Sequence, residues 1–483
     1  MIRFQAVTLD GPRRPLTLLG QTNFTPFAGS FLLILAGLQV TGGASMISQP
    51  RFAWLAPIAL GVLPAALACF YAAAFALVRR CRFRGYDHVL ALATTLALAE
   101  WLRGHLFTGF PWNLVGLLLA ANDELLQLAS IIGIYGLCLF ALLILTTPLL
   151  AFDPATRRHP ALLLTPLALL SAWTWGHHRL AHADAAPVDG VRLRLVQPGI
   201  LPRVRDDPAQ RGSIFAKTLA LTRRAGLETV THVFWPESAV PFRLLDSPKA
   251  LVEIAAMLPR GATFVTGGVR READAQVVGG FRVYNSLFVF DQSATLVASY
   301  DKQHLVPFGE YLPFEYTLAA IGFPIARYRG GYTAGAASNR LIKIPGLPQV
   351  AAAICYEMDF AGDIVPSGLT LEQRPGLILN LTNDSPLGDG LGPREHLLLA
   401  RVRAVEEGLA VIRPAYTGIS AIIDPYGRLV HSVPQGQSGV IDGPLPRALS
   451  STPYARFGDW IFALMLMCCA ARLMHSKAIR RLG

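Results

Sequence analysis

The sequence predicts an α/β layered sandwich that faces water and is inserted between the transmembrane helices of a polytopic α-helical membrane domain. Two observations lead to this fold class. Hydrophobic residues make up 52% of the 483 residues and charged residues only 16%, which is too apolar for a purely soluble protein. The apolar runs lie in residues 27–178 and 457–474, whereas residues 190–447 alternate short strand patterns with helical stretches, as layered α/β domains do.

The apolar regions contain six runs that approach the length of about 20 apolar residues needed to cross a bilayer as a helix. The predicted spans are 27–47, 53–78, 89–103, 125–150, 161–178 and 457–474. Residues 1–26 are polar and lack the apolar core of a cleavable signal, so we expect the first span to act as the targeting signal.

The formal net charge of +11 could indicate a nucleic-acid partner, but the placement of the basic residues argues against one. The basic clusters lie beside the apolar runs, at Arg13-Arg14, Arg79 to Arg84, Arg157-Arg158 and Lys477 to Arg481. Basic loops of this kind stay in the cytoplasm and set the orientation of a membrane protein. Both termini are then cytoplasmic, and residues 190–447 lie on the periplasmic side of a bacterial inner membrane.

The segment 100–113 leaves the apolar region on the outer side and is rich in aromatic residues, glycine and proline. Such a segment cannot cross lipid as exposed coil, so we expect an interfacial or re-entrant loop. Its Trp101, Phe110 and Trp112 are predicted at headgroup depth, where aromatic side chains anchor membrane proteins. Simple anchoring and a lipid-binding role both remain open for them.

Within residues 190–447 the hydrophobic patterns predict strands with a few helices between them. The predicted strands cover 191–197, 231–235, 262–269, 284–291, 296–302, 341–344, 349–355, 377–382, 411–415 and 419–424, followed by a hairpin. The predicted helices cover 211–227 and 393–407.

Cys355 ends the apolar run that begins at Val350, a pattern typical of a strand buried on both faces. It could be a small buried hydrophobe, as many free cysteines are. However, it is the only one of the six cysteines that falls inside the exported domain, so it has no disulfide partner there. A lone thiol in an oxidising compartment favours a reactive role.

Three predicted strands end in titratable groups, namely Glu237, Lys302 and Cys355. A cysteine nucleophile needs a base or a nearby cation, and acyl transfer needs positive charge where the oxyanion develops. A carboxylate, an ammonium and a thiol supply these three functions. His304 and His396 are present, but neither is recognisable from the sequence as a partner of Cys355.

These residues resemble the Glu–Lys–Cys triad of the nitrilase superfamily, in that superfamily's chain order. The apolar flanks narrow the resemblance to the apolipoprotein N-acyltransferase family. The blocks that carry it are Thr108-Gly109-Phe110-Pro111-Trp112, Trp235-Pro236-Glu237-Ser238-Ala239, His304-Leu305-Val306-Pro307-Phe308-Gly309-Glu310, Ala353-Ile354-Cys355-Tyr356-Glu357, Asn383-Asp384, Gly392-Pro393 and Tyr454-Ala455-Arg456. Several separated blocks in the same order are far more specific than one short motif.

The resemblance implies an αββα sandwich in which Cys355 is the nucleophile, Glu237 the general base and Lys302 the oxyanion stabiliser. It also implies supporting roles for Glu310, Tyr356 and Glu357. From the residues alone, Glu310 could instead be a helix N-terminal carboxylate, Tyr356 a packing residue and Glu357 a salt-bridge partner.

The implied activity moves a fatty acyl chain from a phospholipid, through a cysteine thioester, to the N-terminal amine of an S-diacylglyceryl-cysteine apolipoprotein. No cofactor or metal is expected, because the ester already supplies an activated acyl group. The sequence departs from the family pattern at Ser385-Pro386-Leu387, at Pro414-Ala415-Tyr416-Thr417 and after Gln197-Pro198, where an expected tryptophan is missing. Two alternatives therefore stay open: a diverged amidase or acyltransferase with another acceptor, and a non-catalytic membrane scaffold.

Overall fold

The computed structural model describes residues 61–482, except for 185, 278–279, 312, 314–330 and 337–339. The predicted polar segment 1–26, the predicted span 27–47 and the first residues of the predicted span 53–78 lie outside the described residues.

Two six-stranded sheets form the centre of the domain between residues 187 and 446. The strands are β1 Pro187–Gln197, β2 His232–Phe234, β3 Thr263–Ala273, β4 Phe281–Phe290, β5 Leu296–Asp301, β6 Leu341–Ile342, β7 Val350–Ile354, β8 Leu377–Leu381, β9 Ala410–Arg413, β10 Ser420–Ile423, β11 Leu429–Val433 and β12 Gly439–Pro446. Their order is β12-β1-β2-β3-β4-β5 in one sheet and β11-β10-β9-β8-β7-β6 in the other. In each sheet the central pairs are parallel, which requires crossover connections.

The two sheets pack face to face through one apolar core, and helices cover their outer faces. Leu195 and Leu287 of the first sheet share this core with Ala352 and Leu379 of the second. The helices Arg211–Thr222 and Pro248–Met257 lie on the outside of the first sheet. The helix Gly392–Glu407 covers the second. The predicted combination of sheets and helices is therefore confirmed, and the layers run α-β-β-α.

One helix boundary differs from the prediction for a physical reason. The predicted helix 211–227 ends at Thr222. The buried guanidinium of Arg194 lies at this end and donates hydrogen bonds to the carbonyl oxygens of Thr222, Arg224 and Ala225. These carbonyls would otherwise need helical or solvent partners, so Arg194 acts as a C-terminal cap supplied by a strand. The helix Pro248–Met257 was not predicted from the pattern.

Among the described residues, five long helices flank this domain in sequence: Leu63–Cys81, Tyr86–His105, Ala129–Thr146, Ala161–Ala181 and Trp460–Leu482. Three stretches among the described residues are long and apolar enough to cross a membrane, namely Leu63–Cys81, Ala129–Phe152 and Trp460–Ala478. The predicted run 125–150 is interrupted, since a short helix Asp123–Leu126 precedes the long one.

The helix Ala129–Thr146 is kinked at Gly133, which has a φ of 64°. A Cβ atom at this position would lie 2.2 Å from the ring of Tyr454, so only glycine fits. The backbone amide of Ile134 donates instead to Glu406 Oε1 at 2.7 Å. The kink thus joins an apolar helix to the helix that covers the second sheet.

The loop after Tyr86–His105 is fixed by the buried side chain of Arg103. Its guanidinium pairs with Glu100 at 2.7 Å and donates to the carbonyl oxygens of Phe110 and Trp112 at 2.6 and 2.7 Å. Trp112 is only 8% exposed and packs among the apolar helices, whereas Phe107 is 91% exposed. The headgroup depth of Trp101, Phe110 and Trp112 stays a prediction, and Phe107 is the aromatic residue that this loop presents outward.

Candidate active site

The three residues predicted to form the triad follow three different strands. Glu237 comes shortly after β2, Lys302 directly after β5 and Cys355 directly after β7. The two sheets therefore contribute separately, since β2 and β5 belong to one sheet and β7 to the other. Asn285 joins Glu237 to the ion pair of Lys302 with Glu310, and the charges of Glu237 and Lys302 both act on the pKa of Cys355.

Lys302 forms an ion pair with Glu310, and its charge also acts on Glu237. Its ammonium Nζ is 2.8 Å from Glu310 Oε2 and 3.0 Å from Oε1. The side-chain amide of Asn285 donates to Glu237 Oε1 at 2.7 Å and to Glu310 Oε1 at 2.9 Å. The backbone amide of Val306 donates to Glu310 Oε2 at 2.8 Å. Glu310 is therefore an ion-pair partner of Lys302 and part of the same network as Glu237.

Burial sets the protonation behaviour of these groups. It raises the pKa of Glu237, and Lys302 opposes this rise. Burial alone would lower the pKa of Lys302, which is 1% exposed, but the charges of Glu310 and Glu237 raise it overall. Burial and the charge of Glu237 raise the pKa of the Cys355 thiol, against the effect of Lys302. The resting thiol is thus neutral, and a nucleophilic attack by it would require a base to take the proton.

The backbone is strained at two of these positions. Cys355 has a φ of 50°, and Ser238, the residue after Glu237, has a φ of 49°. Residues other than glycine rarely adopt this left-handed region, and such strain is often found where a side chain must be presented to a site. At Cys355 it turns the chain sharply from β7 into the short 3₁₀ helix Cys355–Asp359.

Glu357 holds this turn. Its carboxylate is fully buried and accepts hydrogen bonds through Oε1 from the hydroxyl of Tyr300 and the amides of Gln303 and His304, at 2.7, 2.9 and 3.1 Å. Through Oε2 it accepts from the amide of Ile354 at 2.7 Å. Glu357 therefore bridges the strand ends that carry Lys302 and Cys355, and it does so by hydrogen bonds rather than by a salt bridge.

Tyr356 connects the turn to the loop that follows the apolar helix Tyr86–His105. Its hydroxyl donates to the carbonyl oxygen of Gly109 at 3.0 Å. His304 stacks on Phe360 with ring centroids 3.7 Å apart, and its Nε2 lies 2.7 Å from the carbonyl oxygen of Thr108. A cleft opens beside these contacts, lined by Thr108, Gln303, His304, Leu305, Tyr311, Tyr332 and Ala334.

The structure places further polar residues at Cys355 that the sequence did not single out as site residues. His396 Nε2 lies 3.2 Å from the carbonyl oxygen of Cys355, and His396 Nδ1 lies 2.7 Å from Asp384 Oδ1. Thr382 donates to Asp384 Oδ1 at 2.9 Å, and Arg413 pairs with Asp384 Oδ2 at 2.9 Å. Burial alone would raise the pKa of Asp384, but Arg413 and His396 hold it well below its usual range.

Cys355, Asp384 and His396 also offer ligand atoms that lie within 4.8 Å of one another, as metal-binding groups do. Both ring nitrogens of His396 already lie within hydrogen-bond distance of protein atoms, and Arg413 and Thr382 engage Asp384. A metal would have to displace these contacts, so the group fits a hydrogen-bonded support for Cys355 better than a metal centre.

Comparison with known proteins agrees with this geometry. A family model described as "Carbon-nitrogen hydrolase" matches residues 192–453, and one described as "Apolipoprotein N-acyltransferase N-terminal domain" matches residues 19–147. A protein of Bradyrhizobium diazoefficiens named "Apolipoprotein N-acyltransferase" is 41% identical over 442 residues, covering 89% of this chain and 81% of the relative. A protein of the same name from Brucella melitensis is 37% identical over 470 residues, covering 96% and 86%.

Among solved structures, an amidase from Nesterenkonia sp. aligns with 16% identity over 55% of this chain and 94% of its own, with a TM-score of 0.36. The fold and the family match define a carbon–nitrogen hydrolase domain. Within that class, the chain belongs to the apolipoprotein N-acyltransferase family, which confirms the resemblance drawn from the sequence.

The bridge made by Glu357 leads to the first testable prediction. In Glu357→Gln, the NH2 group of the new amide would face a hydrogen-bond donor that Glu357 now accepts from. The hydrogen bonds that connect the two strand ends would then be incomplete. We expect the free energy of unfolding to fall by about 3 kcal/mol, because a buried network loses its charged acceptor. Hydrogen exchange should speed up at the amides of Ile354 and Gln303.

Melting of the detergent-solubilised protein and hydrogen exchange measured by mass spectrometry check this expectation. Glu253→Gln, an exposed position on a surface helix, is the matched control and should change neither quantity. Unchanged exchange at Ile354 in Glu357→Gln would show that the bridge does not hold the turn.

Proposed function

We propose that this protein transfers a fatty acyl chain from a phospholipid to the N-terminal amine of S-diacylglyceryl-cysteine apolipoproteins, through a thioester on Cys355. The observation that carries the proposal is the convergence of a partly buried thiol, a buried carboxylate and a buried ammonium at three strand ends, in a chain of this family. A non-catalytic scaffold would have no use for a thiol, a carboxylate and an ammonium that interact electrostatically at one site.

In the first half-reaction, Glu237 takes the proton of the Cys355 thiol as the sulfur attacks the ester carbonyl. A carbon–sulfur bond forms, and Lys302 stabilises the oxyanion of the tetrahedral intermediate. The carbon–oxygen bond then breaks, and Glu237 returns the proton to the departing lysophospholipid. Because the thiol is neutral at rest, this step depends on the base.

In the second half-reaction, the amine of the apolipoprotein attacks the thioester and gives its proton to Glu237. The carbon–sulfur bond breaks, the amide forms and the proton returns to the sulfur. Glu310 keeps Lys302 in place for both steps, Glu357 holds the turn at Cys355, and Tyr356 ties that turn to the loop beside the apolar helices. The scheme uses no cofactor, since the donor ester is already activated.

The proposed location is a bacterial inner membrane, crossed by six spans, with residues 190–447 on the periplasmic side. Three apolar helices and the family support the membrane association. The basic clusters at 79–84, 157–158 and 477–481 support the orientation. This location places the catalytic groups where both acyl-bearing substrates are found.

Reporter fusions test the orientation. A periplasm-dependent phosphatase fused after residue 447 should be active, and the same reporter fused after residue 84 should be inactive. A reporter that fluoresces only in the cytoplasm should give the opposite result at both positions. Phosphatase activity at residue 84 together with none at residue 447 would reverse the topology.

Substitution of the nucleophile tests the chemistry. Cys355→Ala and Cys355→Ser should insert and fold but form no acyl-enzyme, because a serine hydroxyl in this site is far less acidic than a thiol. Mass spectrometry of lipoprotein N-termini from cells carrying either variant should show diacylated and not N-acylated cysteine. Cys69→Ser, at an exposed thiol, serves as the control.

Full N-acylation by Cys355→Ala would contradict the proposal. In purified wild-type protein, faster discharge of the thioester by a diacylglyceryl peptide than by water would exclude the alternative of a different acceptor.

The pKa of Glu237 leads to a prediction about pH. Burial and the charge of Glu310 both raise this pKa, so the base form is lost as pH falls through a value above the usual 4.5 of a glutamate. Glu310→Gln removes one of these causes, so the acid limb of the acylation rate should move to lower pH. The pH dependence of the acylation rate is measured by stopped flow with a chromogenic ester between pH 4 and pH 8.

The same profile for Glu228→Gln, at an exposed position, should match the wild type. An acid limb that stays in place or moves to higher pH in Glu310→Gln would show that Glu310 does not set the protonation of the base.

A further inference from the structure

A cation lies beside the catalytic groups and is not used by the mechanism above. The short helix Pro202–Arg205 follows β1, and its Arg205 guanidinium carbon lies 5.5 Å from the ring centroid of Tyr416. Both residues belong to the stretches where this sequence departs from its family pattern.

Tyr416 places the pair next to the nucleophile. Its backbone amide donates to the carbonyl oxygen of Thr382 at 3.1 Å, and Thr382 directly follows Leu381, which pairs with Ile354 immediately before Cys355. The side chain of Tyr416 is fully buried, yet its hydroxyl oxygen has no hydrogen-bond partner among the described residues. A buried hydroxyl without a partner is costly, so such a group points to a ligand that would satisfy it.

The electrostatic effect of Arg205 also reaches the catalytic groups. Its charge acts on Glu237 and on Tyr332, a residue that lines the cleft beside Lys302. Its side chain is 24% exposed, and its closest carboxylate among the described ion pairs is that of Asp206, with Nε and Oδ1 3.9 Å apart. That separation is at the outer limit of an ion pair, so most N–H groups of the guanidinium can bind another anion.

We propose that Arg205, together with the Tyr416 hydroxyl, binds the phosphate of the donor phospholipid. This inference rests on the proposed function and names the part of the donor that the site recognises. A guanidinium offers a planar fork that matches phosphate oxygens, and a phenol can donate a further hydrogen bond to them. The acceptor approaches with an amine, which gains nothing from a cation, so the pair serves the first half-reaction.

The phosphate and the ester that Cys355 attacks belong to one glycerol backbone. An anchor for the phosphate beside Cys355 would therefore limit where the ester carbonyl can lie. Anchoring a part of the substrate that does not react is a general way to orient the bond that does.

The test compares two acyl donors that differ in the phosphate. Dioleoylphosphatidylglycerol carries it, and p-nitrophenyl oleate presents the same acyl group without it. With the full-length, detergent-solubilised protein, formation of the Cys355 thioester is followed by mass spectrometry at a series of donor concentrations. In Arg205→Gln we expect KM for the phospholipid to rise at least about tenfold, as for the loss of one charged hydrogen bond, with little change in kcat.

The rate with p-nitrophenyl oleate should stay as in the wild type. Arg205→Lys keeps the positive charge but loses the planar guanidinium. Its KM for the phospholipid should therefore lie between the values for the wild type and for Arg205→Gln. Tyr416→Phe keeps the ring but not the hydroxyl and should raise KM for the phospholipid alone. Arg203→Gln, an exposed residue of the same short helix, is the matched control and should change neither donor's kinetics.

An equal loss with both donors would overturn the inference, because Arg205 would then act through the protonation of Glu237 or through folding. No loss with either donor would overturn it as well. A wild-type protein that forms a thioester from p-nitrophenyl oleate but none from the phospholipid would instead refute the proposed function, whatever Arg205 does.

Discussion

The relative position of the two sheets at Cys355 depends on one buried carboxylate. Lys302 and Cys355 follow strands of different sheets, so no ladder of backbone hydrogen bonds fixes the distance between them. Glu357 connects the two sheets here, since its carboxylate accepts hydrogen bonds from Tyr300 and Gln303 on one side and from Ile354 on the other. A charged acceptor that satisfies several donors in a dry interior is rigid, because any displacement leaves a buried group without a partner.

This rigidity has an electrostatic consequence. The interior at the site holds the side chains of Glu237, Glu310 and Lys302, with the neutral thiol of Cys355 beside them. Burial disfavours the charges of Glu237 and Lys302, and the attraction of Lys302 to both carboxylates, together with the hydrogen bonds that Asn285 donates, opposes this effect. A cation that two carboxylates keep protonated is a stable partner for an oxyanion, while a carboxylate of raised pKa is a stronger base than an exposed one. In the proposed mechanism, this arrangement would prepare proton transfer and charge stabilisation before a substrate arrives.

Part of this site could be predicted from the sequence, because its signals lie within short stretches of the chain. Cys355 is visible because an apolar run ends there and no second cysteine occurs in the domain, and Glu237 and Lys302 lie near the ends of comparable runs. Asn285 and His396 were not recognised, because each lies within a regular element and reaches the site only when distant segments pack. The kink at Gly133 was missed for the same reason, since the ring of Tyr454 that demands it is more than 300 residues away.

The contacts of the loop 106–113 show how the apolar helices and the turn at Cys355 are joined. Arg103 holds the carbonyl oxygens of Phe110 and Trp112 from the helix side. Tyr356, the residue after Cys355, holds the carbonyl oxygen of Gly109 from the other side. Backbone carbonyls are bound in both cases, so the link does not involve the exposed side chain of Phe107. The loop can therefore vary the side chains it presents outward, such as Phe107, without moving the nucleophile relative to the helices.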